Sequence, residues 1–524
     1  MPQDDPAPTA APWTALQRWT VAATVLGSSM AFIDGSIVNV ALNAVQAAFG
    51  SGVAGSQWVV NAYMLMLASL ILTGGALGDA FGRRRVFGLG VLVFALASLL
   101  CGLAPTLGVL IAARVLQGAG GALLIPGSLA MIGSAFDDAG RGRAVGVWSA
   151  ATSATNLLGP VLGGVLVGAL SWRWAFLINV PLALLTLWCL RGVPDDRPQT
   201  AARPDVWGSV LVTLGLGSVT FALIQAGRSA PGAGLPVLLL GALGALLLLA
   251  FVLWEARTPA PMLPLPLFRS AAFRGTNLLT LLLYGALGAA TFFLPLNLIG
   301  VQGYSPAGAG AALVPLALLL TLLSRFAGAW GARVGPRVPL TLGPSVCAAA
   351  FLAFAVPGVG GGYVRTFLLP VTLLGLGLAV TVAPLVSAVL GSVDDRQGGT
   401  ASGVNNAVSR TGGLLAVAAL GLVMLGGFRA DLKARVGARH LPPAVTAAML
   451  AQADRLAQVT PPASLPPATR AALKLDVRQA FVAGFRRVSL WCAALSVLAA
   501  LAGFLAYPAR RGQRSGPDGT APPA

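Results

Sequence analysis

Apolar positions in this chain come in long runs, and polar positions gather between them. Fourteen runs can be marked: 19–42, 57–77, 86–104, 107–133, 144–169, 174–191, 206–226, 235–254, 272–300, 308–330, 338–357, 364–391, 398–426 and 484–507. A helix rises about 1.5 Å per residue, so about 20 residues cross a hydrocarbon layer of about 30 Å. The runs lack the alternation and brevity of barrel strands, so they predict helices. The expectation is an all-α polytopic membrane protein with fourteen transmembrane helices. Residues 1–15 hold Asp4 and Asp5 and no basic residue. The run that follows is too long for a signal-peptide core and is expected to stay as the first helix.

Composition narrows the class. Of the 524 residues 56% are hydrophobic and 10% charged, with mean hydropathy +0.82. A soluble domain carries about 25% charged residues. The net charge of +18 does not point to nucleic acid, because the arginines sit in short connections with no polar domain to carry a binding face. Even-numbered connections hold Arg83, Arg84, Arg85, Arg141, Arg143, Arg191, Arg197, Arg203, Arg257, Arg269, Arg274, Arg333, Arg337 and Arg396. Odd-numbered short ones hold Arg173, Arg228 and Arg365. The positive-inside rule then places the even connections and both termini in the cytoplasm. The preference for Arg over Lys, with abundant Ala and Gly, suggests a GC-rich bacterial genome and hence a bacterial inner membrane. Four cysteines lie in apolar runs and the one histidine, His440, in a polar stretch, so neither a metal site nor a disulfide framework is expected.

A weak internal repeat divides the chain. Gly75, Gly78, Asp79 and Gly82 with Arg83–Arg85 close the second run, and Gly328, Gly331, Gly335 and Arg337 close the tenth in the same register. The reading is a cytoplasmic N-terminus (1–18), a first six-helix half (19–191), an inserted helix pair (206–254) and a second half (272–507). The second half includes a long external loop (427–483) with an amphipathic helix near 444–458, and a disordered cytoplasmic tail (508–524) follows. The repeat register places Leu287 opposite Asp34 and Ala332 opposite Asp79, so the second half lacks both acids.

Asp34 lies near the middle of the first run. A charge at the bilayer centre costs about 2.5–3.5 kcal/mol on insertion scales, so it marks function by default. Arg114 lies well inside the fourth run, with Gln117 one turn on, and Asn156 could join them. Asp79 sits at a helix end where Arg83, and Arg141 or Arg143 on the next basic connection, are candidate partners. In the fifth run Gly159, Pro160, Gly163 and Gly164 remove bulk and a backbone donor, giving a bendable, close-packing segment. Arg410 also lies deep in an apolar run, whereas Arg325 is near enough to an end to snorkel. Trp58, Asn61, Tyr63, Tyr284, Phe292, Phe293 and Asn297 are candidate cavity residues by type alone.

These stretches resemble the major facilitator superfamily. The Gly75–Arg85 stretch is similar to its signature between the second and third helices. Arg114, Gln117, Gly118 and Gly120 are similar to its intramembrane arginine motif. Gly146, Gly159, Pro160, Gly163 and Gly164 are similar to its antiporter motif. Asp34 to Leu42, and Trp172 to Pro181 with Asn179, resemble its fourteen-helix drug:proton antiporters. Thr155 stands where the antiporter motif often has Gly, and Asn43 where the subfamily often has Pro.

The resemblance implies a major facilitator fold of two six-helix halves plus two inserted helices. It implies a proton-coupled multidrug efflux antiporter with small amphipathic substrates and no cofactor beyond the proton gradient, working as a monomer. In it Asp34 and Arg114 couple protons, and Asp79 with Arg83 and Arg141 or Arg143 gates the cytoplasmic side. The Gly159–Gly164 stretch is the hinge. One cavity acid among several arginines leans the substrate towards neutral, zwitterionic or anionic compounds. Uptake of a metabolite is the alternative, disfavoured by the antiporter motif. A non-transporting sensor would want a large effector domain, and an intramembrane enzyme a His, Cys or paired-carboxylate constellation.

Overall fold

A computed structural model describes residues 13–195, 204–227, 234–394 and 397–507, without the side chains of residues 138, 139, 153, 156 and 157. The tail from 508 and the side chain of Asn156 therefore lie outside the described residues.

The helices start where caps dictate. α1 (Ala15–Phe49) opens at Thr14, whose hydroxyl accepts from the Gln17 N–H while the Gln17 side chain accepts from the Thr14 N–H. α2 (Val53–Phe81), α3 (Arg83–Leu103), α4 (Leu107–Ala135), α5 (Asp138–Ala169), α6 (Trp174–Leu177) and α7 (Asn179–Leu190) complete a first set. α8 (Val206–Ala226) and α9 (Gly234–Glu255) form a pair. The second set is α10 (Ala271–Gly300), α11 (Pro306–Ala311), α12 (Val314–Val334), α13 (Arg337–Phe354), α14 (Tyr363–Thr366), α15 (Leu368–Leu390), α16 (Gly398–Gly437), α17 (Pro443–Ala451) and α18 (Pro467–Ala506).

Three apolar runs are each broken into two helices. The breaks fall just before Pro181, Pro315 and Pro370, each in the first turn of α7, α12 and α15. Proline is tolerated there because the first-turn N–H groups have no intrahelical acceptor to lose. Among the described residues twelve helices, with α11–α12 taken as one, are long and apolar enough to cross a membrane. α5 adds the shorter apolar stretch Leu158–Ala169, and α6–α7 the stretch Trp174–Leu190.

Packing repeats between the sets. α1 packs on α5, and α4 on both α2 and α3; in the same way α10 packs on α16, and α15 on both α12 and α13. The tight turns match too, Gly82 alone between α2 and α3 and Gly335 with Pro336 between α12 and α13: Gly82 has φ 96° and Gly335 φ 84°, a region open to glycine. α8 lies against α2 and α16, across the seam between the sets. Trp58 meets Phe221 there at 5.6 Å, and Thr73 Oγ1 lies 2.5 Å from Ser209 Oγ. Outside it, α9 exposes Leu235, Leu238, Leu239, Leu243, Leu246 and Leu249, as a lipid-facing helix does.

The segment expected as a loop over 427–483 is largely helical. α16 and α18 each run for 40 residues, beyond their apolar stretches. Their polar ends hold one another: Arg435 pairs with Asp431 at 2.5 Å and donates to Gln479, and Arg439 pairs with Asp476. Composition concealed this because the two ends are stabilised by each other. The helix expected near 444–458 is α17 followed by a 3-10 turn, Ala453–Gln458, interrupted at Leu456 (φ 51°).

Candidate functional site

The end of the bundle carrying Gly82–Arg85 is called the basic end below. At the opposite end the two sets are pressed together along α5 and α11. A Cβ on Gly164 would lie 2.6 Å from the Ala307 Cα, and one on Gly310 would strike the Pro160 backbone, with the Pro160 carbonyl carbon at 2.6 Å. Gly159 and Gly163 face α1 instead, where added carbons would meet Ser36 and Ile37. The four residues expected as a hinge thus fit α5 between α1 and α11. Further links at this end run from Gln57 Nε2 to the Val417 carbonyl (2.7 Å) and from Gln458 Nε2 to the Asn43 carbonyl (3.0 Å).

Between the sets lies a cavity of about 400 Å³. Its walls come from α1, α2 and α5 on one side and α10, α15 and α16 on the other, reaching Leu390 and Ser402 near the basic end. Tyr63, Tyr284 and Arg410 line it, as do Asn405 and Asn406. Trp58, Asn61, Gln117, Phe292 and Asn297 are not among its walls. Trp58 turns to α8. Phe292 is sealed edge-on against Phe293 at 4.8 Å, and Asn297 accepts from Gln302. Asn61 is fully buried, with no hydrogen bond to its amide among the described residues. Residue type placed these in membrane helices, but the helix face decided against the cavity.

Asp34 sits just behind this wall. Ala31 and Gly35 line the cavity, while the Asp34 side chain, 0% exposed, turns to α4. Arg114, 1% exposed, reaches it from Nη1 at 2.5 Å. The same Nη1 donates to Gln117 Oε1 (2.7 Å), and Arg114 Nε donates to the Val59 carbonyl (2.9 Å). Gln117 Nε2 donates to Asp34 Oδ1 and Ser98 Oγ, both at 2.8 Å. Asn179 Nδ2 lies 3.5 Å from Asp34 Oδ1. The guanidinium carbon stands 4.3 Å from the Tyr63 ring centre and 5.7 Å from that of Phe176. Tyr63 therefore touches both the cavity and the ion pair. Arg114 and Gln117 meet Asp34 together because positions three apart share a helix face. Ser98, Asn179 and Phe176 escaped the sequence reading as members of this cluster. The signal for the first two was a polar residue inside an apolar run.

At the basic end Asp79 Oδ1 accepts from Arg83 Nε (3.1 Å) and Nη2 (3.0 Å), across the Gly82 turn. Arg83 also donates to the Ala130 carbonyl of α4. Gly75 lies beside Pro126 of α4, and Arg141 donates to the Gly133 carbonyl. Arg143 lies over the Trp13 ring at 5.0 Å. The structure thus brings Asp79 to Arg83, and attaches Arg141 and Arg143 elsewhere on the first set. Arg84 and Arg85 pair with Asp195, past the end of α7. They hold its carboxyl below the usual carboxylate range. Among the described residues no cluster could hold a metal ion.

Thr155, where the antiporter motif often has glycine, lies 3.0 Å from Ser29 Oγ. It adds an α1–α5 hydrogen bond at that position.

Residues 24–417 match the family model described as Major Facilitator Superfamily. The chain is 38% identical over 425 residues to the puromycin resistance protein pur8 of Streptomyces alboniger, covering 79% of this chain and 84% of that one. It is 32% identical over 504 residues to the tetracenomycin C resistance and export protein of Streptomyces glaucescens, covering 95% and 93%. It is 38% identical over 394 residues to the cephamycin export protein CmcT of Amycolatopsis lactamdurans, covering 74% and 81%. In fold it is similar to the crystal structure of a bacterial homolog to the human lysosomal transporter Spinster, in an inward-facing and unoccupied conformation. That match has a TM-score of 0.64 at 18% identity and covers 94% of this chain and 98% of the other. With helices long and apolar enough for a multi-pass membrane protein, and with relatives named for drug and antibiotic resistance, this chain belongs to the major facilitator superfamily.

Proposed function

We propose that the protein is a proton-coupled antiporter that exports amphipathic drugs or toxic metabolites across the bacterial inner membrane. It works as a monomer by alternating access, with fourteen spans and both termini in the cytoplasm. On this reading the basic end is cytoplasmic and the cavity faces inward.

The observation that carries the proposal is the sealed Asp34–Arg114 pair one residue behind the cavity wall. Neutralising a buried carboxylate ordinarily strands its cation. Here Arg114 keeps the Gln117 and Val59 oxygens and two aromatic faces when Asp34 takes a proton. Asp34 can therefore cycle between carboxylate and acid without leaving a bare guanidinium. Tyr63 is the side chain through which that change reaches the cavity. The Asp79–Arg83 pair latches α2 to α3 at the cytoplasmic end. The α5–α11 contact is the outer gate that must part when the cavity faces outward.

The test is a toxicity panel in an efflux-deficient bacterial host, with no protein, wild type and Asp34→Asn at matched membrane levels, followed by proton flux in liposomes. Resistance that disappears with Asp34→Asn, together with substrate-driven proton flux in the wild type alone, is expected. Resistance and proton flux that both survive Asp34→Asn would remove Asp34 from the coupling site. Uptake of the compounds by the wild type would overturn export.

A further inference from the structure

We propose that the cavity between the two helix sets is an anion-accepting site. Its substrate is an anionic or zwitterionic amphipath whose acidic group is received by Arg410. The inference rests on the proposed function only in taking the cavity ligand to be the transported cargo.

Arg410 is the one formally charged side chain among the described residues lining the cavity. Among the described residues the first set contributes no charge to the wall, because Asp34 and Arg114 are sealed behind it in mutual contact. Arg410 Nε is buried and has no hydrogen-bond partner among the described residues. It lies twelve residues into α16 from Gly398, about 18 Å of helix, so it meets a ligand deep in the cavity and not at its mouth. A guanidinium with a buried Nε calls for an acceptor, and the described residues do not supply one.

The surroundings describe the rest of the ligand. Asn406 and Ser409 flank Arg410 on the polar face of α16, while Phe32, Tyr63 and Tyr284 stand among the walls for an aromatic body. A carboxylate matches the planar guanidinium fork with two charge-assisted bonds. An ammonium in the same place meets a like charge between low-dielectric protein walls, where repulsion is stronger than in water. The cavity should therefore discriminate by head-group charge more sharply than by the apolar body.

Three probes that share one aromatic body test this: 1-pyrenebutyrate, 1-pyrenebutanol and 4-(1-pyrenyl)butylammonium. Binding is measured to wild type, Arg410→Gln and Arg410→Lys, each purified into phosphatidylcholine nanodiscs. Wild type should bind the carboxylate about tenfold or more tightly than the ammonium. Arg410→Gln should lose that preference while weakening the alcohol far less, and Arg410→Lys should keep part of it. A carboxylate preference that survives Arg410→Gln overturns the proposal. So do equal or tighter binding of the ammonium by wild type and failure of the carboxylate probe to bind. Export is judged separately, by probe movement in liposomes under a pH gradient. Selective binding without movement would sink the export reading and leave the anion site standing.

Discussion

Arg114 Nη1 lies 2.5 Å from Asp34 Oδ2, and neither side chain exposes more than 1% of its surface. The pair joins α4 to α1 in the middle of the first helix set. An acid or an amide at position 34 still offers Arg114 and Gln117 an oxygen, whereas Leu offers none; removing one member outright costs about 3–5 kcal/mol, and removing both together far less. Asp34→Leu should therefore lower the melting temperature in detergent markedly, and Asp34→Leu with Arg114→Leu should recover most of the loss. A single variant as stable as wild type would mean the pair does not form.

Gly164 is where α5 meets the start of α11. Gly164→Val places carbons onto the Pro306 carbonyl and Ala307, an overpacking worth about 1–3 kcal/mol. The strain falls on the closed end alone, so the variant should shift the population towards an open outer seam. Spin labels placed across α5 and α11 should report a longer distance than in wild type. An unchanged distance with unchanged transport would show that this contact sets no gate.

Asp79 and Arg83 are partly exposed, at 46% and 20%. Such a pair contributes about 0–1 kcal/mol to stability. Asp79→Asn should accordingly melt close to wild type while transport falls severalfold, because the latch serves one conformation and not the fold as a whole. A large stability loss would assign Asp79 to folding.

Asn61 is buried, and neither amide atom has a partner among the described residues. Replacing such a group by an apolar one of similar size is neutral or stabilising, by about 1–3 kcal/mol. Asn61→Leu should raise the melting temperature. If the amide finds its partners in the outward-facing state, the same variant slows turnover; a variant both destabilised and fully active would contradict this account.

Asp195 offers a control for pH. Arg84 and Arg85 lower its carboxyl in the folded protein, so the stabilisation is fully present above the ordinary carboxylate value. It is lost only as pH falls through the lowered one. Between about pH 5.5 and 8 the tether does not titrate. Asp195→Asn should leave the pH profile of transport unchanged over that window, whereas Asp34→Asn should flatten it.

Much of this molecule was legible along the chain. The apolar runs gave the helices, because a residue in hydrocarbon must satisfy its backbone within its own helix, which is a local demand. The repeat was visible because Gly82 and Gly335 meet the same turn requirement in one residue. Asp34 and Arg114 stood out because an intramembrane charge is costly wherever it points. The tertiary structure decided which faces meet. It set Asp34 behind the cavity wall instead of in it, and left Arg410 as the charge facing the cavity among the described residues. It drew Ser98 and Asn179 into the cluster, turned Trp58 to the inserted pair, and gave Asp79 to Arg83. It also joined the helices over 427–483 through the Arg439–Asp476 ion pair and the Arg435–Gln479 hydrogen bond between distant segments. Helix type and depth are set by residues a few positions apart, whereas facing and pairing are set by packing between segments far apart in the chain. No run of neighbours records that packing.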